Sequence, residues 1–306
     1  MLGIVGSDEA PFTGRAWVRT FPHGEVELLY RSGKAPGELE RMNEWLSDAG
    51  IENRVKRLSP PGFGTPAVDR FETPESNAER VLRRAKQRLR WSVKAIGCDQ
   101  MLTLTYRANE TDYATTRRHL TRFLALCRKE WSTWQHVAAP ERQQRGAWHW
   151  HLGVRGFVNY DKLRGFWWKA IGHRVGWSAE GKPILLDGGE TPGNVQGVAA
   201  KTRGRRARCW SSDRLAGYLA KYLSKAVGAE GLDGKSYSVS RGLQWKLERY
   251  AVRAFTYADV CGSVFDLLGA SGSVGAPFLW ASSCRSVLWA AGRAPPRSGP
   301  EQTPSS

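Results

Sequence analysis

Apolar and polar residues alternate over Met101-Leu102-Thr103-Leu104-Thr105-Tyr106, the period-two pattern of a strand with one buried face. From Asp112 to Glu130 the spacing becomes helical, with Leu120, Phe123, Leu124 and Cys127 on the inward side. Trp134 to Arg142 and Ala147 to Val158 read as two strands around a turn at Gln144-Arg145-Gly146. Tyr160 to Ile171 reads as a helix, Val195 to Ala200 as a short strand, and Ser212 to Val227 as a further helix. The order strand, helix, hairpin, helix, strand, helix predicts an α+β fold: a central antiparallel sheet with helices packed on one face.

Upstream, Ser76 and Glu79 form a capping-box pattern that opens a helix running to about Lys94. Its charges are one-sided: Arg80, Arg83, Arg84, Lys86, Arg88 and Arg90. A solvated helix face or a phosphate contact would each account for them. Residues 1–75 are poorly marked, with a single expected strand at Glu25 to Tyr30 and an irregular linker from Ser59 to Pro66. The main domain is therefore expected over 76–259. The segment 260–306 is rich in Gly, Ser, Ala and Pro and is expected to be disordered. Within it, Leu267 to Cys284 carries no charge, but its Gly and Ser content argues against a stable membrane insertion.

Charge sharpens this picture. Lys and Arg outnumber Asp and Glu by 46 to 29, a formal net charge of +17, which points to a polyanionic partner. Fourteen tryptophans add stacking planes that suit single-stranded nucleic acid. The five cysteines form no C-x-x-C pair, which argues against a disulfide framework or zinc ribbon and for a reducing cytoplasm. Met1 to Pro11 has no basic segment followed by an apolar run, so no signal peptide is expected.

Two of the six histidines stand at His149 and His151, separated by Trp150. On a strand both imidazoles project to one face, with the indole on the other. That is half of a divalent-metal site, although two packing histidines would show the same triplet. Hairpin register selects the third ligand. A two-residue loop would set Arg142 against His149 and turn Glu141 away. A three-residue loop, Gln144-Arg145-Gly146, sets Glu141 opposite His149 and takes Gly in its last, left-handed position. Glu141 is thus the expected oxygen ligand, with Gln143 the alternative. Pro140 implies an edge strand or a bulge beside it.

The last predicted helix repeats one tetrad: Tyr218-Leu219-Ala220-Lys221, then Tyr222-Leu223-Ser224-Lys225. Tyr218 and Tyr222 share a helix face, and Lys221 and Lys225 follow each by three residues. An ordinary amphipathic helix would also place two half-buried tyrosines this way. The chemical reading is a pair of equivalent nucleophiles. In it, each neighbouring ammonium lowers a phenol pKa and holds a phosphate.

Met101 to Arg107, Glu141 with Arg145 to His151, and Tyr218 to Lys225 occur in this order. Together they resemble the three motifs of HUH endonucleases that initiate rolling-circle replication. The resemblance is to the two-tyrosine initiators of small single-stranded DNA phages and related plasmids, filamentous-phage replication proteins among them. Tyr237 to Gly242 resembles a further, weaker family segment. The resemblance spans about Ser76 to Val260 and implies an RRM/ferredoxin-like HUH domain. It further implies Mg2+ or Mn2+ on His149, His151 and Glu141, and attack by Tyr222 or Tyr218 on an origin phosphate. The product would be a 5′-phosphotyrosyl enzyme with a free 3′ hydroxyl; the second tyrosine would cut after one round, and strand transfer would close the circle. Candidate DNA contacts are Thr103 and Thr105 on the strand, and Lys201, Arg203, Arg205, Arg206 and Arg208 in the basic run.

Gly234-Lys235-Ser236 ends like a phosphate-binding loop, but Ala229 stands where the first glycine is needed. A host helicase is therefore an expected partner, and the resemblance implies a host DNA polymerase primed by the free 3′ hydroxyl, in the bacterial host cytoplasm. An HUH transposase or a mobilisation relaxase would share the chemistry. The former often carries a cysteine-rich zinc module and the latter usually three histidines, and the sequence shows neither. A noncatalytic single-strand-binding module would leave the histidine triplet and the tyrosine tetrads without a purpose.

Overall fold

The computed structural model describes residues 12–33, 77–156, 158–197, 200–202, 205–207, 211–226, 236–282 and 286–293. The chain divides into two compact units. One is Glu75–Leu243; the other joins Met1–Pro74 to Gln244–Ser306.

The Glu75–Leu243 unit is built on a five-stranded antiparallel sheet. Its strands are β3 (Gln100–Tyr106), β4 (Val137–Arg142), β5 (Trp148–Val154), β8 (Gly193–Gly197) and β11 (Ser238–Val239), in the order β11-β4-β5-β3-β8. The period-two pattern sorts its side chains. Leu102, Leu104, Trp148, Trp150 and Leu152 enter a core with α2 (Tyr113–Glu130) and α3 (Tyr160–Ala170). Met101, Val137 and Ala139 enter a second core with α1 (Asn77–Ile96) and α4 (Ser212–Ala226). The sheet is therefore sandwiched between two helix layers, which corrects the expectation of helices on one face. The reason lies in β5: all seven of its residues are buried, so both faces need cover.

Local signals position these helices. Asp112 caps α2 by accepting from the amides of Ala114 and Thr115. Asn159 caps α3 through the Lys162 amide. Trp167 and Trp168 of α3 donate their indole N–H groups to the carbonyls of Thr105 and Gly193 at 2.8 Å each, which fastens the helix across β3 and β8. Gly153 does the same work on the opposite face by absence: a Cβ there would stand 3.2 Å from Leu219 and 3.4 Å from Leu215 of α4. Between α1 and α4, the ammonium of Lys94, 1% exposed, pairs with Asp213 at 2.7 Å.

Of the second unit, the sequence predicted only the strand at Glu25 to Tyr30, which is present as β2 (Glu25–Ser32). The unit is a five-stranded antiparallel sheet of β1 (Phe12–Thr20), β2 (Glu25–Ser32), β12 (Lys246–Ala254), β13 (Val274–Ala281) and β14 (Val287–Arg293), ordered β12-β1-β2-β14-β13. Helix α5 (Tyr257–Ala270), with a Thr256–Asp259 capping box, packs Val260, Val264 and Leu268 on the face that holds Val18, Leu28 and Leu288. The expectation of a disordered segment from residue 260 is thus corrected over residues 260–282 and 286–293. Of its strands, β14 pairs with β2 from the other end of the chain and β13 with β14, a partnership that no local composition reveals. Residues 294–306, Ser76, the 59–66 linker and Ala229 to Lys235 lie outside the described residues. No helix among the described residues is long and apolar enough to cross a membrane.

Four short strands complete the description. The β6–β7 hairpin is Val175–Trp177 with Pro183–Leu185, and the β9–β10 hairpin is Ala200–Thr202 with Arg205–Ala207.

Candidate functional site

The turn after β4 sets the site. Gly146 has φ +88°, and its amide donates to the carbonyl of Gln143 at 2.9 Å. The Gln143 amide in turn donates to the Ala147 carbonyl at 2.8 Å. This closes the three-residue loop and pairs Glu141 with His149, Ala139 with His151. Directly opposed residues share a face, so Glu141, His149 and His151 project together. Trp150, between the two histidines, is 1% exposed and lies in the other core. Pro140 is opposite Trp150, beyond the two residues of β4 that pair with β11. Antiparallel alternation aims the N–H it lacks away from β5, so the edge of the sheet accommodates it. Gln143, the alternative ligand, is engaged in the turn, where its amide oxygen accepts from Arg145 Nε at 3.1 Å.

His151 is held from two sides. Its Nε2 lies 2.8 Å from Glu141 Oε2, and its Nδ1 lies 3.1 Å from Thr103 Oγ1. The threonine hydroxyl can donate or accept, so it supports either imidazole tautomer. Thr103, read from the sequence as a DNA contact, is instead turned inward, 8% exposed. Thr105 is half-buried and donates to the Asn194 carbonyl at 3.4 Å. The period-two pattern set Thr103 on the face opposite Leu102 and Leu104; the pairing of β3 with β5 is what sets it beside His151.

Helix α4 brings the tyrosines over this face. The Tyr222 ring stacks on the His151 imidazole, with centroids 3.7 Å apart and planes 14° apart. Its hydroxyl donates to the Tyr218 hydroxyl at 2.8 Å, and the two phenol rings meet edge to face. Lys225 completes the cluster: its Nζ donates to Glu141 Oε1 at 3.1 Å and stands 5.6 Å from the Tyr222 ring centre. Lys221 is exposed.

Electrostatics divide the cluster. Burial, and then the charges of His151 and Arg145, pull the His149 pKa down to about 4, so this imidazole is neutral at physiological pH. Its Nε2 is buried without a hydrogen-bond partner among the described residues. Burial pushes the Glu141 carboxyl upward, but its bonds to His151 and Lys225 outweigh this and hold it ionised below the usual carboxylate range. Tyr222 departs from expectation. Burial, the Tyr218 bond and the Glu141 charge raise its pKa, whereas the sequence predicted a phenol activated by a neighbouring ammonium. The reason is geometric: the Lys225 ammonium is committed to Glu141.

The donor set can be tested against a divalent ion. Two nitrogens and a carboxylate suit a borderline or hard metal. Cis ligands about 2.1 Å from an octahedral ion lie roughly 3 Å apart, close to the 2.8 Å between His151 Nε2 and Glu141 Oε2. His149 supplies a neutral, unpartnered nitrogen on the same face. Among the described residues, however, no three such side chains already stand in a ligating arrangement, because Glu141 is drawn to His151 and Lys225. The donor types, two imidazoles and a carboxylate on one sheet face, suit such an ion. Of the candidate DNA contacts in the basic run, Arg203 and Arg208 lie outside the described residues, and the β9–β10 hairpin is described for Lys201, Arg205 and Arg206 in backbone only.

Residues 99–227 match the model of the replication-associated protein ORF2 family, a stretch shorter than half the chain. It runs from the start of β3 to the end of α4, so it contains Glu141, His149, His151 and both tyrosines. The match supports the resemblance to phage and plasmid replication-associated initiators. No curated protein and no solved structure matches the chain.

Proposed function

We propose that the Glu75–Leu243 unit nicks single-stranded DNA at a replication origin and transfers the strand through a phosphotyrosyl intermediate. The observation that supports this is the stacking of Tyr222 on His151, with Tyr218 bonded to Tyr222 and Lys225 bonded to Glu141. It brings two phenol oxygens and an ammonium from α4 to the sheet face that carries His151 and Glu141. A purely structural helix would have no need to gather two phenols, a carboxylate and an ammonium about one imidazole.

In the proposed step, one phenol oxygen forms a bond to phosphorus while the bond from phosphorus to the 3′ oxygen breaks. The phenol gives up a proton and the leaving 3′ oxygen takes one up. The 5′ phosphate stays on tyrosine, so its bond energy is retained and resealing needs no ATP. His149, His151 and Glu141 would hold Mg2+ or Mn2+, which, when bound, draws charge from a nonbridging phosphate oxygen. Thr103 orients His151. Lys225 supplies a cation next to the nucleophile and balances Glu141 until substrate arrives. Burial keeps Tyr222 protonated at rest, so its attack requires a group that accepts the phenol proton in the bound complex.

The test is a nicking assay on single-stranded DNA from the intergenic region of the replicon that encodes the protein, with Mg2+ or Mn2+. A covalent protein–DNA adduct at the 5′ end is expected, together with its loss in the Tyr218→Phe/Tyr222→Phe double variant. An undiminished adduct in that variant rules out the assignment.

A further inference from the structure

The unit formed by the two chain ends presents a sheet face that the α5 core does not use. Alternation puts Val18, Leu28, Leu288 and Val252 against α5, so their neighbours in sequence point to the opposite side. Across that side the register aligns one row: Arg249 on β12, Trp17 on β1, Leu29 on β2, Trp289 on β14 and Trp280 on β13. The next row holds Ala251, Arg15, Arg31 and Val287. Three indoles thus lie across a sheet whose strands are about 4.8 Å apart, with arginines alongside. Arg15, Arg31 and Arg249 are exposed, whereas Trp17, Trp280 and Trp289 are half-buried. Arg15, Trp17 and Arg249 line a depression of about 370 Å3. The acids on this side, Glu25 and Glu27, are buried at the other end of β2. The exposed end is therefore cationic.

We infer that this face is a second, noncatalytic binding surface for single-stranded DNA. Aromatic planes spaced along a sheet stack unpaired bases, and flanking arginines meet the phosphates between them. Duplex DNA would offer its phosphates but no open base faces, so the indole row favours the single strand. The inference stands apart from the nicking chemistry, since no residue of the tyrosine and histidine cluster takes part in it. Its consequence is that the protein keeps hold of a strand independently of the covalent bond.

The experiment measures binding of a fluorescein-labelled oligothymidylate of roughly twenty nucleotides to the full chain carrying Tyr218→Phe/Tyr222→Phe. In that background, Trp17→Ala/Trp289→Ala and Arg15→Glu/Arg249→Glu should each weaken binding about tenfold. The arginine variant should also flatten the dependence of log affinity on log salt by about one unit or more. A control with the same charge change on α2, Arg122→Glu/Lys129→Glu, should bind like the parent. Parental binding by the arginine variant, whose side chains make no core contact, overturns the inference even if the tryptophan variant does not fold. Equal weakening in the control overturns it too, as does equal competition by a duplex of the same length.

Discussion

The phenol of Tyr222 lies flat on the imidazole of His151, 3.7 Å between ring centres. A residue 71 positions further along the chain thereby covers one face of the expected metal ligand. The contact serves packing and chemistry at once, and two substitutions separate them. Tyr222→Phe keeps the stack and should melt within about 1 kcal/mol of the parent, the size of one lost hydrogen bond. Its adduct should fall at least tenfold or move entirely to Tyr218. Tyr222→Ala should lose roughly 3 kcal/mol as well, as large-to-small changes in a core do. Denaturant melts beside adduct mapping by mass spectrometry would decide. A phenylalanine at 222 cannot form the adduct, so an unchanged total with no Tyr218 adduct would refute the tyrosine chemistry.

Glu141 links the ligand set to Lys225. Glu141→Gln preserves the shape but removes the charge, so Mn2+ affinity measured by electron paramagnetic resonance should drop at least tenfold. Lys225→Met should instead leave a carboxylate free for the ion, and Mn2+ should bind as well as or better than in the parent. If Glu141→Gln binds Mn2+ like the parent, Glu141 is not a ligand.

The hairpin register depends on one residue. Gly146 adopts φ +88°, where a Cβ is strained. Gly146→Ala should cost about 1 kcal/mol, and Gly146→Asn less, since Asn tolerates the left-handed region. Thermal melts would show the ranking. Equal melting for Ala and Asn would mean that the strain is relieved by a different turn.

Acid should weaken the protein through His136. This residue joins β4 to the segment around β11 through hydrogen bonds with Ser238 and Ser240, and burial holds its pKa down to about 4. An unfolded imidazole titrates near 6.5. The unfolded chain therefore binds the proton more readily, and stability is complete above that value. As pH falls from 6.5 to about 4, up to roughly 3 kcal/mol should be lost. Urea melts across this window should show a shallower loss for His136→Gln than for the parent; parallel losses would assign the effect to other groups.

Lys94 and Asp213 make an asymmetric pair between α1 and α4: the ammonium is 1% exposed, the carboxylate 43%. Removing the acid takes the Asp213 carboxylate from a buried cation, whereas removing the lysine leaves an acid that water can reach. Asp213→Ala should therefore destabilise more than Lys94→Met in urea melts. The reverse order would show that Lys94 draws its support from elsewhere.

The sequence alone determined a good deal of this centre. A period of two put His149 and His151 on one face, a glycine in the last place of a three-residue loop set Glu141 opposite His149, and a period of four joined Tyr218 to Tyr222. These are local facts, because backbone geometry over a few residues dictates them. What the chain could not reveal required partners far apart in sequence. Thr103 meets His151 only because β3 pairs with β5. Lys225 spends its charge on Glu141, and Tyr222 becomes a harder phenol rather than a softer one, only because α4 lies on β4 and β5. The second unit is the extreme case: β2 and β14 are neighbours from opposite ends of the chain, and their pairing turns a segment of Gly, Ser and Ala into strands. Hydrogen bonds and burial between such distant segments leave no periodic mark, so only the tertiary structure decided them.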